Sequence, residues 1–300
     1  MTANDARPRL GLALGAGAAR GWAHIGVLRA LAENDVHVDV VCGTSAGALV
    51  GGIYATGKLR ELEDWVRSLT ARSVLALTDF TIARGGAVGG RRLMELYRDR
   101  IGDPNIEDLP LRFAAVATDL ESGSERWLQQ GSLLDAIRAS ISVPGLFTPV
   151  ERDGRWLVDG GLVNPVPVTL CRALGAEVVV AVDLNRGRLE RTRQPGAELQ
   201  AAVVRDGAAL LEDTGPRAGQ PVAAPGKAPI ITEVVAAAID IMEDRIARAR
   251  LAGDPPDLLL TPRLRHVAPL DFAGGQATID EGFHLMERML PTLHDMLGDD

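Results

Sequence analysis

Val40-Val41-Cys42-Gly43-Thr44-Ser45-Ala46-Gly47-Ala48-Leu49-Val50 runs from a β-branched apolar stretch, through a serine set between glycines, into a second apolar stretch. Val38–Cys42 predicts a buried strand, and Ala46–Thr56 predicts a helix packed on both sides. The turn between them matches G-x-S-x-G in the strand–turn–helix setting that a nucleophile elbow requires. Gly43 and Gly47 leave room for the chain to double back beneath the serine. A helix starting at Ala46 aims its N-terminal amides at developing negative charge. Ser45 is therefore the candidate nucleophile. The competing reading is a glycine-rich turn in which Ser45 is only a helix N-cap. Val40 to Gly57 carries no charge over 18 residues. A membrane-spanning helix needs ~20 mostly apolar residues, and the GTSAG turn breaks this one, so a buried strand and helix are expected.

Working outward, Arg9–Leu14 reads as another buried strand that stops at glycine. Leu14-Gly15-Ala16-Gly17-Ala18-Ala19-Arg20-Gly21 follows, ahead of a helical period through Trp22, Ile25, Leu28 and Ala32. The loop fails as a G-x-G-x-x-G dinucleotide fingerprint because Arg20 holds the last position, and it lacks the G-K-[ST] of a P-loop. Small residues before a helix N-terminus suit backbone donors for an oxyanion. Arg20 would hold the loop or meet an anionic head group. Leu59–Leu69 and Arg91–Arg100 predict amphipathic helices, and an ordinary charged helix start is preferred for Arg91-Arg92 over phosphate contacts. Phe113–Thr118, Val178–Val182 and Leu258–Leu260 predict strands. Leu133–Ile141, Val166–Leu174, Ile231–Ala249 and Ala277–Leu297 predict helices. Such alternation implies a mainly parallel sheet covered on both faces, an α/β fold. Arg186–Pro229 is rich in proline, glycine and charge and reads as an insertion with one short helix near Leu199–Leu211. One domain is expected, with a core over about 9–183 and closing elements over 230–300.

Composition narrows the chemistry. With 32 basic and 40 acidic residues among 300, the net charge of −8 argues against a nucleic-acid binder. Thirty of the basic residues are arginine, read first as coding bias. Cys42 and Cys171 form no disulfide framework and no CxxC pair, which points to a reducing compartment. Met1–Arg9 is polar and does not read as a signal peptide. The five histidines, His24, His37, His266, His284 and His294, show no HxxxH or HxH spacing, which gives a zinc site little support; no cofactor is expected. Asp119 and Asp183 follow apolar strands and read as capping carboxylates before ligands. Asp159 follows Trp156–Val158 and precedes Gly160 and Gly161. Alone, that is an ordinary Asp-Gly turn.

Together these segments resemble the bacterial patatin-like phospholipases, most closely the RssA-type proteins. The resemblance rests on LALGAGAARGWAHIGVL at 12–28, GTSAG at 43–47, ASISVPGLFTPV at 139–150, DGGLVNPVP at 159–167 and LAGDPPDLLL at 251–260. It implies a three-layer α/β/α sandwich and a two-residue dyad of Ser45 and Asp159. It implies an oxyanion hole from the loop Gly15, Ala16, Gly17, Ala18, Arg20 and Gly21, together with Ala46. The implied substrates are phospholipids, lysophospholipids or other acyl esters, met in the cytoplasm with peripheral contact at the inner face of a membrane. Oligomeric state is left open. The chain departs from the family loop at Ala16 and Ala18, where glycines are usual. Backbone donors survive that change if φ stays negative and fail if the loop needs φ > 0. Two alternatives stand beside the dyad: a Ser45–Asp159–His266 triad, and a non-catalytic regulator or adaptor that keeps the fold. His24 reads as a packed imidazole before a pocket residue.

Overall fold

The computed structural model describes residues 7–77, 79, 86–186 and 231–298. Its strands are β1 (Leu10–Leu14), β2 (Val40–Thr44), β3 (Gly86–Val88), β4 (Arg112–Asp119), β5 (Glu125–Leu128), β6 (Gly145–Phe147), β7 (Val150–Arg152), β8 (Arg155–Asp159), β9 (Val178–Val182) and β10 (Leu258–Leu260). The helices are α1 (Trp22–Glu33), α2 (Ala46–Ala55), α3 (Leu59–Ser68), α4 (Ala71–Leu77), α5 (Arg91–Ile101), α6 (Leu133–Ser140), α7 (Val168–Ala173), α8 (Ile231–Gly253) and α9 (Gly275–Leu297).

The main sheet runs β10-β9-β1-β2-β4-β8-β7, with β5 also on β4. The five strands from β10 to β4 are parallel to one another. β5 and β8 join β4 antiparallel, and β7 joins β8 antiparallel. The sheet is therefore mixed: mainly parallel as expected, with an antiparallel end that the sequence reading did not specify. Glu125–Leu128 and Val150–Arg152 are short and half-exposed, so they lack the continuous apolar runs that mark buried strands.

That antiparallel end creates the site. β5 pairs with Ala115–Thr118 of β4, overlapping the β4 residues paired to β2 and those paired to β8. A strand has two edges, so β2 and β8 must share the edge opposite β5. There Thr44 pairs with Val116 and Asp159 pairs with Ala117, the next residue along. The C-terminal ends of a parallel and an antiparallel strand thus meet head-on, which sets Ser45, the residue after β2, beside Asp159, the last residue of β8.

The strands alternate between two apolar layers. Leu10, Leu12, Leu14, Val41, Phe113, Ala115, Val178, Val180 and Val182 pack with α1, α2, α3, α6 and α9. Ala13, Val40, Cys42, Ala114, Val116, Val179 and Ala181 pack with α7 and α8. Burial on both faces gives the three-layer arrangement and explains why these strands read as unbroken apolar runs. Boundaries move modestly from the sequence expectations. The helical period expected through Trp22, Ile25, Leu28 and Ala32 is α1, preceded by a 3₁₀ turn at Ala18–Gly21. The helix expected from Val166 starts at Val168, after Pro165 and Pro167, because proline offers no amide to an earlier helical turn. The short helix expected near Leu199–Leu211, and almost all of the expected insertion, lie outside the described residues.

Candidate active site

Ser45 sits between β2 and α2 with φ 55° and ψ −118°. Such a backbone costs an L-residue on the order of 1–3 kcal/mol and persists only where surrounding structure enforces it. Here the enforcement is visible. A Cβ on Gly47 would fall 2.0 Å from the Leu14 carbonyl oxygen, and one on Gly43 would fall 2.4 Å from the Ala48 nitrogen. The Ser45 amide donates to Ser140 Oγ at 2.9 Å, and that hydroxyl donates to the Val116 carbonyl at 2.6 Å. Ser45 makes no side-chain capping bond to α2, which removes the N-cap reading. Its hydroxyl instead donates to Asp159 Oδ2 at 2.6 Å.

Asp159 is 1% exposed. Its other oxygen, Oδ1, accepts from the Gly161 amide at 2.7 Å. Burial raises its carboxyl to about 7, against the lowering effect of the bonds from Ser45 and Gly161. A carboxylate in water is a weak base; one poised near neutrality is matched to moving a proton at physiological pH. His266 is exposed in the loop before α9, so the structure brings Ser45 and Asp159 together directly and leaves His266 out.

The glycine-rich loop divides into donors already engaged and donors still open. The Gly15 amide donates to Val182 O at 3.0 Å, Ala16 to Pro165 O at 2.8 Å, and Arg20 to Gly17 O at 3.1 Å. Gly21 packs against the start of α2, where a Cβ would fall 2.4 Å from the Ala46 Cβ. The amides of Gly15, Ala16 and Arg20 are therefore spent within the fold and do not face a substrate oxygen, which narrows the broader set expected, and Gly21 gives close packing against α2. Among the described residues, the amides of Gly17, Ala18 and Ala46 are given to no carbonyl. Ala18 stands at φ 49°, a left-handed conformation that costs alanine roughly 1–2 kcal/mol. The loop thus does use φ > 0 at one of the two substituted glycines, yet the alanine adopts it. Its neighbours hold it there: Ala19 donates to Pro269 O at 3.0 Å. Arg20, fully buried, donates to Asn185 Oδ1 at 2.6 Å and pairs with Asp240 at 3.2 Å. Arg20 is accordingly a strut of the loop and faces no head group.

Ser45, Ala46 and Ala18 open on one cavity of about 280 Å³, walled by apolar side chains that include Trp22, Leu49, Trp65, Val143, Leu146 and Phe272. His24 is not among the residues lining it. That imidazole is fully buried beneath the loop, with Nε2 at 2.8 Å from the Gly15 carbonyl. Burial holds it near 4, despite the Gly15 bond, so it is neutral at pH 7. Asp119 accepts from Arg155 at 2.8 Å and from the Glu121 and Ser122 amides. Asp183 accepts from the Asn185 and Arg186 amides. Both carboxylates cap turns. Among the described residues, no cluster of three or more His, Cys, Asp or Glu could hold a metal. Ser140, Asn185 and Glu243 were missed as site residues. Ser140 lies inside ASISVPGLFTPV, but nothing in its local pattern reveals that it holds the Ser45 amide.

A serine hydroxyl bonded to a buried carboxylate, on a strained elbow that opens into an apolar cavity, pairs a nucleophile with an adjacent base as acyl transfer on serine can use. The chain belongs to the patatin-like phospholipase family, whose profile matches residues 12–172. It is 37% identical over 299 residues to an uncharacterized NTE-family protein of Mycobacterium bovis, covering 84% of this chain and 83% of that one. Patatin-like phospholipase domain-containing protein 6 of Homo sapiens is 37% identical over 186 residues, which are 59% of this chain and 13% of that protein. The neuropathy target esterase sws of Drosophila melanogaster is 35% identical over 183 residues, again 59% of this chain and 13% of that protein. These matches establish the family and not an RssA-type subgroup within it.

Proposed function

We propose that the chain is a serine acyl hydrolase that cleaves fatty acyl esters of phospholipids or lysophospholipids. The carrying observation is the 2.6 Å bond from Ser45 Oγ to a buried Asp159 at the strained elbow. Asp159 accepts the hydroxyl proton as Ser45 Oγ attacks the ester carbonyl. The amides of Ala18, Ala46 and Gly17 donate to the oxyanion; a single such donor is worth ~10²–10³ in rate. Collapse of the tetrahedral intermediate breaks the ester C–O bond, and the leaving alkoxide takes the proton from Asp159. Water then gives its proton to Asp159 and attacks the acyl-enzyme, which releases the fatty acid and restores the serine hydroxyl. The apolar cavity supports an acyl chain as occupant, since water there would find few partners. A non-catalytic adaptor would have no use for backbone strain at Ser45 or for a buried Asp159 held near neutrality.

A fluorophosphonate probe tests the reading. Labelling of wild type at Ser45, absent in Ser45→Ala, is the expected result. A folded wild type that stays unlabelled while a related hydrolase reacts would favour the adaptor.

Among the described residues, no helix is long and apolar enough to cross a membrane. We propose a cytoplasmic location from the two free, buried cysteines, Cys42 and Cys171, which suit a reducing compartment, with peripheral contact at the inner face of the membrane. Leu270 lines the cavity yet is 54% exposed, and Leu75 at 62% lies on α4 between the cavity residues Val74 and Leu77. An apolar rim continuous with an apolar cavity suits a lipid surface. Leu75→Asp, outside the cavity lining, is expected to reduce co-sedimentation with phospholipid vesicles while hydrolysis of a short soluble ester persists. Unchanged sedimentation would remove this rim from the membrane contact.

A further inference from the structure

Three buried polar residues beside the site take no part in the steps above: Arg20, Asn185 and Glu243. α8 delivers Glu243 to the back of the Asp159 turn. A Cβ on Gly161 would fall 2.2 Å from Glu243 Oε1 and 3.1 Å from Asp159 Oδ1, so both carboxyls crowd the same glycine. Glu243 Oε2 accepts from Asn185 Nδ2 at 3.1 Å. Asn185 Oδ1 accepts from Arg20 Nη1 at 2.6 Å. Arg20 Nη2 also reaches Asp240, one turn before Glu243 on α8, at 3.2 Å. Glu243, Asn185 and Arg20 are 5%, 3% and 0% exposed, so the links never leave the interior.

We infer that Glu243 is a positioning residue for acyl transfer, which through Asn185 and Arg20 ties the turn carrying Asp159 to the loop carrying Ala18. The inference rests on the acyl-hydrolase reading and deepens it. Ala18 must hold a left-handed backbone with its amide aimed at the oxyanion, and Arg20 is two residues away on the same short turn. Fixing Arg20 from α8 therefore fixes the donor relative to the base. The groups facing Glu243 are Asp159, Asp240 and Arg20. Burial, and then the charges of Asp159 and Asp240, push its carboxyl well above the usual range, against Arg20 and Asn185. The link itself is geometric: Asn185 Nδ2 donates to Glu243 Oε2, and Glu243 Oε1 packs against Gly161. The contribution of Glu243 is shape and hydrogen bonding, which glutamine reproduces.

The test compares full-length wild type, Glu243→Gln, Glu243→Ala and Asn185→Ala for labelling rate by a fluorophosphonate and for kcat and KM on an acyl ester, with thermal melts as the folding control. Glu243→Ala is expected to lower kcat by about 10- to 100-fold, the scale of an ångström-sized misplacement. KM should stay within about twofold, because Glu243 does not line the cavity. Glu243→Gln should restore kcat to within about threefold of wild type. Equal kcat for wild type and Glu243→Ala overturns the inference and leaves the hydrolase reading standing. An equal loss in the Gln and Ala variants overturns it too, because the ionisable group would then matter and not the tie. If Glu243→Ala does not fold, Asn185→Ala decides: a fall in kcat supports the tie, and an unchanged kcat sinks it. Wild type that fails to label at Ser45 takes down both readings together.

Discussion

Ser45→Ala is expected to leave no ester hydrolysis above background, and Asp159→Asn to reduce kcat by about 10⁴-fold or more, the scale seen when members of a catalytic unit are removed. The two effects have different origins. Alanine removes the attacking oxygen itself. Asparagine keeps the shape and can still accept from the Gly161 amide, but it cannot take the Ser45 proton. In wild type the reacting form of Asp159 is the carboxylate, so kcat/KM should climb as pH rises through about 7, where burial places that group. A limb near 4 would instead mean that the carboxyl is solvated.

The same shift carries an opposite consequence for stability. Between the ordinary aspartate value of 3.8 and about 7, the folded protein keeps a proton that the unfolded chain releases. The native state then binds more protons, so Asp159 makes stability fall as pH rises across that window. Asp159→Asn removes the penalty and should melt higher than wild type at pH 8 while being inactive. Melting and initial-rate measurements from pH 5 to 9 on both proteins check this. Equal pH slopes of melting temperature in the two would sink the assignment of a buried, titrating Asp159.

The elbow was legible in sequence because its constraints are local. Glycines at 43 and 47, an apolar strand before them and an apolar helix after them all lie within a few residues of Ser45. Asp159 was not legible from its own neighbours, since Asp-Gly is an ordinary turn; the resemblance singled it out. What places it is the head-on meeting of β2 and β8 along β4, a pairing between distant segments that no local pattern encodes. Of the short strands that the sequence reading did not predict, β5, β7 and β8 belong to that same antiparallel end, and β3 and β6 pair in a small sheet of their own. The oxyanion loop was legible as a loop, but not which amides remain open. Those are decided by the acceptors Val182 O and Pro165 O, more than 140 residues further along the chain. Glu243 shows the limit most clearly. On α8 it reads as one charge among several on a helix, and only its approach to Gly161 reveals that it is buried against another carboxyl.

Gly26→Ala is expected to destabilise the protein, although helix propensity alone predicts the reverse. In a helix interior, alanine is favoured over glycine by about 0.8–1.0 kcal/mol. Gly26 lies on α1 where that helix crosses α9. A Cβ there would fall 1.9 Å from the Ile279 carbonyl oxygen and 2.5 Å from the Phe283 nitrogen. Gly282 makes the reciprocal approach, 2.0 Å from the Ala23 carbonyl oxygen. These neighbours are backbone atoms, which cannot rotate aside as a side chain does. The helices must separate, and overpacking of this kind costs about 1–3 kcal/mol or more. With backbone on both sides, the upper end applies and outweighs the propensity gain, leaving a net loss of roughly 2 kcal/mol or more. The melting temperature should therefore fall by roughly 4 °C or more. α1 begins directly after the Ala18–Gly21 turn, so the displacement reaches the oxyanion loop, and kcat should fall even at temperatures where the variant is folded. Gly253→Ala is the matched control, because a Cβ at that position meets nothing within 4 Å. A Gly26→Ala protein that melts as high as wild type would show that the α1–α9 crossing yields to a methyl group. The close approach of those two helices would then have no part in setting the loop.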